Sequence, residues 1–271
     1  MIFHPIKISD RPLFLKYFQN DRTTCDWTFS NLYCWQDLYQ FEWVELDSWL
    51  IIRCHLDGKR RIGYMVIDSD GSHPYSEVVP LLQQEAEEHG HPLMLVSLSE
   101  RECGQLLSQC PGSFVLDRNR CLEDYIYERA ELADLRGRKF ASKRNHVNKF
   151  MRLYPYSFDY LTRDDIDECF RLDRAWYGQH QDFSVELSAE EQVIRRAFDH
   201  FEDLHLLGGV LRVNGQIVAF TYGSPLNDHT FCTHVEKADT NYEGAYAMIN
   251  HLFAQHLPPQ YTLVNREEDM G

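Results

Sequence analysis

Hydrophobic and polar positions in the first half of the chain alternate in blocks that predict helices and strands in turn. Residues 9–20 have apolar residues at helical spacing with Pro12 in the first turn, so we expect a helix capped by Ser9 or Asp10. β-rich runs and a second and third helical pattern follow. The predicted strands are 41–47, 49–55, 61–68, 92–99, 113–117 and 122–128, and the further helices are 73–90 and 99–110.

The second half repeats this order of elements. A β-rich run, two helical runs and a strand pair come first, and a strand, a helix and a last strand follow. Asn214-Gly215 lies between two β-rich runs and predicts a type I′ hairpin. Ser188 and Glu191 have the spacing of a capping box at the start of the second helix. The predicted strands are 156–162, 205–213, 216–224, 230–238 and 261–267, and the helices are 162–180, 187–201 and 242–257.

The repeated order predicts an α/β (α+β) protein of two similar lobes. We place them at residues 1–134 and 135–271, and we expect each lobe to be a mostly antiparallel mixed sheet flanked by helices. No repeat of the sequence itself accompanies this repeat of elements.

A basic segment, residues 135–153, lies near the middle of an acidic chain. The chain has 27 Lys and Arg against 42 Asp and Glu, a net charge of -15, yet this segment carries seven basic residues and no acidic one. The total charge argues against unselective binding to DNA or to an anionic membrane. The local excess of positive charge instead indicates a local anionic partner.

Cysteine usage and hydropathy predict a cytoplasmic protein. The eight cysteines have no CxxC pair and no zinc-like spacing, which is typical of reduced, buried thiols. No apolar run approaches the length of a membrane-spanning helix, and the first residues do not resemble a signal peptide. The 13 histidines show no HExxH spacing, so the sequence predicts no metal site.

On a helix, the basic segment places Phe140, Val147 and Met151 on one face, where Lys143 and Arg144 interrupt the apolar stripe. Two interpretations are open. The segment is a surface helix whose cations pair with the protein's own carboxylates. Alternatively, its polar side chains bind a phosphate or carboxylate of a ligand, since Arg and Lys are the usual anion binders; these are Lys143, Arg144, Asn145 and Lys149.

The strings LADLRGRKFASKRNHVNKF, HVEKAD, YEGAYAMIN and VNREEDMG resemble the family of proteins similar to the C-terminal domain of bacterial phosphatidylglycerol lysyltransferases. The resemblance implies two tandem GNAT-like lobes, related in fold to Fem-type transferases, which move amino acids from aminoacyl-tRNA. It also implies a further helix and strand beyond Gly271, so we expect the second lobe to be incomplete at its C-terminus.

In GNAT-like sites a helix N-terminus holds the donor's pyrophosphate, which places Asn241 and Gly244 at the donor. The stretch 241–246 keeps one glycine of the usual Q/R-x-x-G-x-G/A loop and adds a glutamate. A different donor from acetyl-CoA, such as aminoacyl-tRNA, is therefore open, as is an ordinary helix start without ligand.

His234 and Glu236 are two residues apart on a predicted strand, and we expect both on one face, with Thr233 and Lys237 on the other. Such a pair can remove a proton from an attacking amine, so both are candidate catalytic residues. The structural alternative is bonding to the backbone or an ion pair with Lys237.

Residues 265–269 form a dense polar cluster after a predicted buried strand. Arg266 is the candidate for a substrate carboxylate or phosphate, and Glu268 or Asp269 is the candidate for an ammonium group. A solvated turn is the other interpretation.

Together these features predict a transferase that moves an acyl or aminoacyl group, by direct attack, from an activated donor to an amine or hydroxyl. Acyl-CoA and aminoacyl-tRNA are the candidate co-substrates, no cofactor is expected to stay bound, and the acceptor is a small molecule, lipid or peptide. The alternative is a non-catalytic GNAT-fold protein that binds tRNA or another polyanion, which a steep salt dependence would reveal.

Overall fold

The computed structural model of the protein describes residues 1–18, 24–56, 58, 60–179 and 185–268. Two compact units divide the chain, Met1–Leu122 and Glu123–Gly271. We had placed this boundary after residue 134. The division comes earlier because the strand Ile126–Glu128 pairs with the last strand of the second sheet, and the helix Arg129–Asp134 contributes Leu132 to the core of the second unit.

The first unit contains a four-stranded antiparallel sheet in the order β1-β2-β3-β4. Trp49, Ile51, Tyr64 and Val66 pack from this sheet against the long helix α4. Ser99 and Glu102 form a capping box at the start of α5. The strands are β1 His4–Pro5, β2 Glu42–Leu46, β3 Trp49–Leu56 and β4 Arg61–Asp68, and the helices are α1 Arg11–Tyr17, α2 Phe29–Cys34, α3 Gln36–Tyr39, α4 Tyr75–Glu88 and α5 Glu100–Gln109.

Two predicted strands of the first half are wrong. Residues 92–99 contribute only an isolated parallel bridge between Tyr64 and Leu95. Residues 113–117 are irregular, and Val115 is 96% exposed there. Short apolar runs like these have no periodicity that separates a strand from an extended loop.

The second unit contains a six-stranded sheet in the order β5-β10-β9-β8-β7-β6. β9 and β10 are parallel, and the other neighbouring strands are antiparallel. The strands are β5 Ile126–Glu128, β6 Tyr156–Tyr160, β7 Leu207–Val213, β8 Gln216–Pro225, β9 Thr230–Ala238 and β10 Leu263–Asn265, and the helices are α6 Arg129–Asp134, α7 Ala141–Leu153, α8 Ile166–Gln179, α9 Val185–Asp199 and α10 Ala245–His256.

Helices cover both faces of the second sheet. α6, α7 and α10 share one apolar core with it, in which Phe150 and Phe253 pack with Phe231 of β9. On the other side, Phe198 of α9 contacts Phe220 and Tyr222 of β8. β9 is therefore a central strand with a helix layer on each side.

Local signals explain where most of these elements begin. Asn214 and Gly215 both have positive φ, 51° and 83°, and join β7 to β8 as the predicted type I′ turn. Thr162 caps the entry to α8 through a capping box with Asp165. The capping box predicted at Ser188 is wrong, because α9 begins at Val185 and Ser188 lies inside the helix.

The basic segment forms a short 3₁₀ turn followed by α7. Phe140 and Val147 are buried as predicted, but Met151 is 49% exposed and Phe150 takes the buried position. Within α7 the buried face runs from Val147 to Phe150, three residues on, and leaves Met151, four residues on, at its edge. No helix of the described residues is both long and apolar enough to cross a bilayer.

Candidate functional site

The parallel pairing of β9 and β10 is only three residues long, and the two strands part at its end. Leu263, Val264 and Asn265 pair with Thr230, Phe231 and Cys232. Beyond that point the chain after β10 follows the other neighbour, since Tyr125 and residues 266 and 267 exchange backbone hydrogen bonds. The candidate site lies where β9 continues without β10.

On the α7 and α10 side of this opening, polar groups of opposite charge meet. Arg266 Nη2 lies 3.0 Å from Glu236 Oε1, and Asn250 of α10 donates to Glu236 Oε2 at 3.1 Å. The half-buried ammonium of Lys143 lies 5.4 Å from the centre of the Tyr127 ring. These contacts bring three of the predicted site residues together, namely Lys143, Glu236 and Arg266.

Lys143 is a cation without a salt bridge to any residue that the structure describes. Burial, and then the positive charge of Arg266, lower the pKa of Lys143, while Glu236 acts in the opposite direction. An anion placed between Lys143 and Arg266 would remove this unfavourable electrostatic energy. The arrangement thus has the charge of an anion-binding site.

His234 lies at a bulge in β9, and this changes where its side chain points. Tyr222 of β8 is opposite Val235 and Gly223 is opposite Thr233, so His234 is the extra residue. A Cβ on Gly223 would lie 1.9 Å from the carbonyl oxygen of Cys232, so only glycine permits this close approach. His234 and Glu236, which we predict on one face, have different hydrogen-bond partners: Ser224 and Glu267 for His234, Asn250 and Arg266 for Glu236.

A hydrogen-bonded chain runs from Ser224 through His234 to Glu267. Ser224 Oγ lies 2.7 Å from His234 Nε2, and His234 Nδ1 lies 2.7 Å from Glu267 Oε1. An ionised carboxylate can only accept, so Nδ1 donates to Glu267 and Nε2 accepts from the Ser224 hydroxyl. This is the arrangement in which a carboxylate orients an imidazole that acts as a base.

Glu267 has a strained backbone conformation that neighbouring hydrogen bonds hold in place. Its φ is +58°, a left-handed conformation that non-glycine residues seldom adopt. Asn265, which is fully buried, accepts from the Glu267 backbone N–H at 2.7 Å and donates to Asp124 at 2.6 Å. Strained residues of this kind persist where surrounding contacts determine them, and they concentrate at functional sites.

A buried acidic group lies on the face of β9 that α8 and α9 cover. Lys237 donates to Glu190 Oε2 at 2.6 Å, and both side chains are buried. Asp173 of α8 is also buried, and neither of its carboxylate oxygens has a hydrogen-bond partner in the described part of the chain. Burial raises the pKa of Asp173 to about 7, against the opposing effect of Lys237.

Two predicted anion-binding cations bind the protein itself. Arg144 Nη1 donates to the carbonyl oxygens of Leu135 and Gly137, just after α6. Lys149 Nζ forms a salt bridge of 2.6 Å with Glu243. Asn145 is exposed on α7. The structural interpretation of the basic segment therefore holds for Arg144 and Lys149, while Lys143 fits the ligand interpretation.

The loop before α10 also has internal partners. Asn241 bonds to Asp239 through its backbone N–H and its side-chain amide, at 2.9 and 2.8 Å. Gly244 has a φ of +91°, and a Cβ there would lie 2.5 Å from the carbonyl oxygen of His146 in α7. Close packing of α7 against α10 is thus sufficient reason for this glycine, and its donor role stays a prediction.

The last predicted binding residues are less defined. Glu268 is partly buried beside the candidate site. Asp269 lies outside the described residues. Their role in holding an ammonium group stays a prediction.

Sequence reasoning missed several residues that the fold brings to the site. Ser224 and Asn250 carry no local pattern, because their role depends on the pairing of β8 with β9 and on the packing of α10. Asp173 could have been noticed as a carboxylate on the helical face that also contains Cys169. Glu267 belongs to the polar cluster after β10, but its link to His234 depends on the sheet order.

Comparison with known proteins shows the family of the chain. The profile of the family described as "Phosphatidylglycerol lysyltransferase, C-terminal" matches residues 18–269. The chain belongs to this family. No curated protein matches the chain by sequence.

Solved structures share the fold of this member of the family. A conserved protein of unknown function from Bacteroides thetaiotaomicron VPI-5482 is 38% identical with a TM-score of 0.90, covering 100% of this chain and 92% of that chain. L-PGS from Bacillus licheniformis has a TM-score of 0.68 at 17% identity, covering 98% and 77%. FemX has a TM-score of 0.58 at 8% identity, covering 99% and 89%. These likenesses confirm the predicted α/β fold of two sheets flanked by helices, which the chain shares with these structures.

Proposed function

We propose that this protein is an aminoacyltransferase whose active site lies where β9 and β10 part. The observation that supports this most directly is the half-buried Lys143, which has no salt bridge within the described chain and stands beside Arg266 at this opening. Family membership narrows the donor class, because the family is named for transfer of a lysyl group. An aminoacyl-tRNA is the donor that we infer.

Lys143 and Arg266 would hold a phosphate of the donor. The guanidinium of Arg266 is kept in place by Glu236, which Asn250 holds in turn. Glu236 is therefore a positioning residue in our mechanism, since Arg266 and Asn250 occupy its two carboxylate oxygens. In place of Glu236, the carboxylate that serves the proton transfer is Glu267, which orients His234.

The proton moves through His234. As the acceptor's amine or hydroxyl attacks the donor's ester carbonyl, its proton passes to Ser224 Oγ while the Ser224 proton passes to Nε2 of His234, and Glu267 stabilises the imidazolium. The imidazolium then returns a proton to the leaving oxygen of the donor. The acyl group passes directly from donor to acceptor, so proton and bond changes balance without a protein-bound intermediate.

Transfer assays with defined probes test this proposal. Labelled lysyl-tRNA and acetyl-CoA serve as donors, and phosphatidylglycerol vesicles serve as one acceptor. We expect discharge of lysyl-tRNA but not of acetyl-CoA, and His234→Gln should lower kcat by about 10²–10⁴-fold. Lys143→Ala should raise the donor KM by about tenfold or more.

Lys149→Ala is the matched control, because that cation lies on the same helix but is paired with Glu243. It should leave the donor KM within about twofold. Equal effects of the two substitutions would contradict donor binding at Lys143. Turnover of acetyl-CoA alone would contradict the aminoacyl donor.

The non-catalytic alternative, a polyanion-binding protein, has weaker support. Of the seven basic residues of the basic segment, Arg136, Lys139 and Lys149 form salt bridges with the protein's own acids. Arg144 binds two backbone carbonyls. Little of the local positive charge is therefore left for a long nucleic-acid backbone.

A further inference from the structure

Cys232 brings a third potential ligand to the proton-handling residues. Its buried thiol lies 3.3 Å from Glu267 Oε1, the oxygen that also accepts from His234 Nδ1. Sγ of Cys232, a ring nitrogen of His234 and a carboxylate oxygen of Glu267 all lie within 4.8 Å of one another. We infer that Cys232, His234 and Glu267 form a binding site for a zinc ion.

The donor set fits zinc by its chemistry. A thiolate, an imidazole and a carboxylate are the three ligand types that zinc takes in proteins, whereas magnesium and calcium prefer oxygen alone. Three protein ligands leave the fourth tetrahedral position for water or substrate, as in zinc sites that are not purely structural.

The spacing of the donors needs only a small change. Metal–ligand bonds of about 2.0–2.3 Å place tetrahedral ligand atoms roughly 3.3–3.8 Å apart. The thiol and carboxylate are already 3.3 Å apart, and the imidazole and carboxylate are 2.7 Å apart. The Glu267 side chain therefore has to swing away from His234 by about 1 Å, which its side-chain torsions allow.

Ser224 can hold the His234 ring in place by a hydrogen bond when a metal is bound. A histidine that binds a metal through one nitrogen normally donates its other N–H to a neighbouring oxygen, which fixes the ring. Ser224 Oγ lies 2.7 Å from Nε2, so it can accept that hydrogen bond once the metal occupies Nδ1. On binding, the thiol proton of Cys232 leaves to solvent and the ring proton moves from Nδ1 to Nε2.

This change has a consequence for the reaction, and that consequence rests on the proposed function. With a proton on Nε2, His234 has no lone pair to accept a proton from the acceptor. Zinc and the transferred proton thus compete for the same imidazole, and zinc is an inhibitor of transfer.

Metal binding is tested without any transfer assay. Tag-free protein is stripped with a chelator and titrated with Co²⁺, whose bond to thiolate gives a charge-transfer band in the near ultraviolet. We expect a band that saturates near one Co²⁺ per chain and disappears when one equivalent of Zn²⁺ is added. Absence of a saturable band in wild-type protein would overturn the site.

Variants separate this cluster from the other thiols. Cys232→Ser and His234→Gln should each weaken metal binding by about 10-fold or more. Ser224→Ala should weaken it by about 10-fold, because the hydrogen bond that fixes the His234 ring is lost. Cys121→Ser, an exposed thiol elsewhere in the chain, is the control and should bind as wild type does. A Cys232→Ser protein with an unchanged band would refute the assignment. Circular dichroism confirms that each variant is folded.

The inhibition is measured separately, as each protein's rate with zinc relative to its own rate without zinc. Wild type should lose most of its rate at saturating Zn²⁺, and Cys232→Ser should require about tenfold more metal. If metal binds but the rate does not fall, the inhibitory role fails while the site stands. If no transfer is found at all, the titration still decides the site.

Discussion

Neighbouring cations on α7 have opposite effects on the energy of the fold. Lys143 is half-buried beside Arg266, and its lowered pKa means that the charged form is disfavoured in the native state. Lys143→Met keeps the length of the side chain and removes the charge, so we expect the Tm at pH 7 to rise by about 1–3 °C. The gain in stability should be complete at pH values below the lowered pKa of Lys143. It should vanish as the pH approaches 10.5, the ordinary pKa of lysine, because the side chain is then neutral in the wild type as well.

Arg144→Ala is the matching substitution one position away. It leaves the carbonyls of Leu135 and Gly137 without the Arg144 donor. The free energy of unfolding should therefore fall by about 1–3 kcal/mol, and the Tm should fall with it. Calorimetry on both variants checks the contrast. A fall in Tm for Lys143→Met would contradict the idea that this charge is held for a ligand at the expense of stability.

The raised pKa of Asp173 makes the stability of the protein depend on pH. This pKa is raised from 3.8 to about 7. Between pH 3.8 and pH 7, the carboxyl of Asp173 therefore keeps its proton in the native state and has lost it in the unfolded state. Stability then falls as the pH rises through this window, and the cost is complete above pH 7. Asp173→Asn should therefore stabilise more at pH 8 than at pH 5, by about 2–3 kcal/mol.

Denaturant unfolding at the two pH values measures this difference. Asp159→Asn, an exposed carboxylate on β6, is the control and should show no such dependence. An equal gain for Asp173→Asn at both pH values would show that the buried charge is not the cause.

At the scale of elements, the contact between α7 and the start of α10 determines Gly244. Alanine there meets two costs, the positive φ of 91° and the approach of its Cβ to within 2.5 Å of the His146 carbonyl. Gly215→Ala is the control, because its φ of 83° carries the same conformational cost with no atom near the added Cβ. The conformational cost alone is about 1–2 kcal/mol.

We expect Gly244→Ala to lose clearly more unfolding free energy than Gly215→Ala, as measured by denaturant titration. The excess reports the forced separation of α7 from α10. Equal losses would mean that the helices can move apart freely, and the packing account of Gly244 would be wrong.

Signals within a few residues of one another made the elements predictable. The Asn214-Gly215 turn is found as predicted, and it acts within one turn of chain, as do the capping residues Ser99 and Thr162. The misplaced elements had no such signal. The runs 92–99 and 113–117 were apolar without periodicity, and the start of α9 lies before Ser188.

At the scale of the whole molecule, the extent of the second unit is testable by expression of fragments. A fragment 123–271 keeps β5, which pairs with β10, and α6, which supplies Leu132 to the core. A fragment 135–271 loses both and exposes the edge of β10. We expect the longer fragment to unfold cooperatively, and the shorter one to be unfolded or to aggregate.

Thermal unfolding followed by circular dichroism distinguishes the two fragments. Cooperative unfolding of both with similar Tm would show that β5 and α6 contribute little to the second unit. Such a result would favour the boundary after residue 134.

The sequence alone determined the order of helices and strands, the family and the concentration of positive charge, because each depends on neighbouring residues or on motifs read along the chain. The tertiary structure decided which groups meet. Ser224 lies on β8, His234 on β9 and Glu267 just after β10, and only the order β8-β9-β10 with a bulge at His234 brings them into hydrogen-bond contact. The tertiary structure likewise decided that Arg144 and Lys149 bind polar groups of the protein, while Lys143 has no salt bridge within the described part of the chain. Interactions between residues distant in sequence depend on packing, which no local pattern encodes.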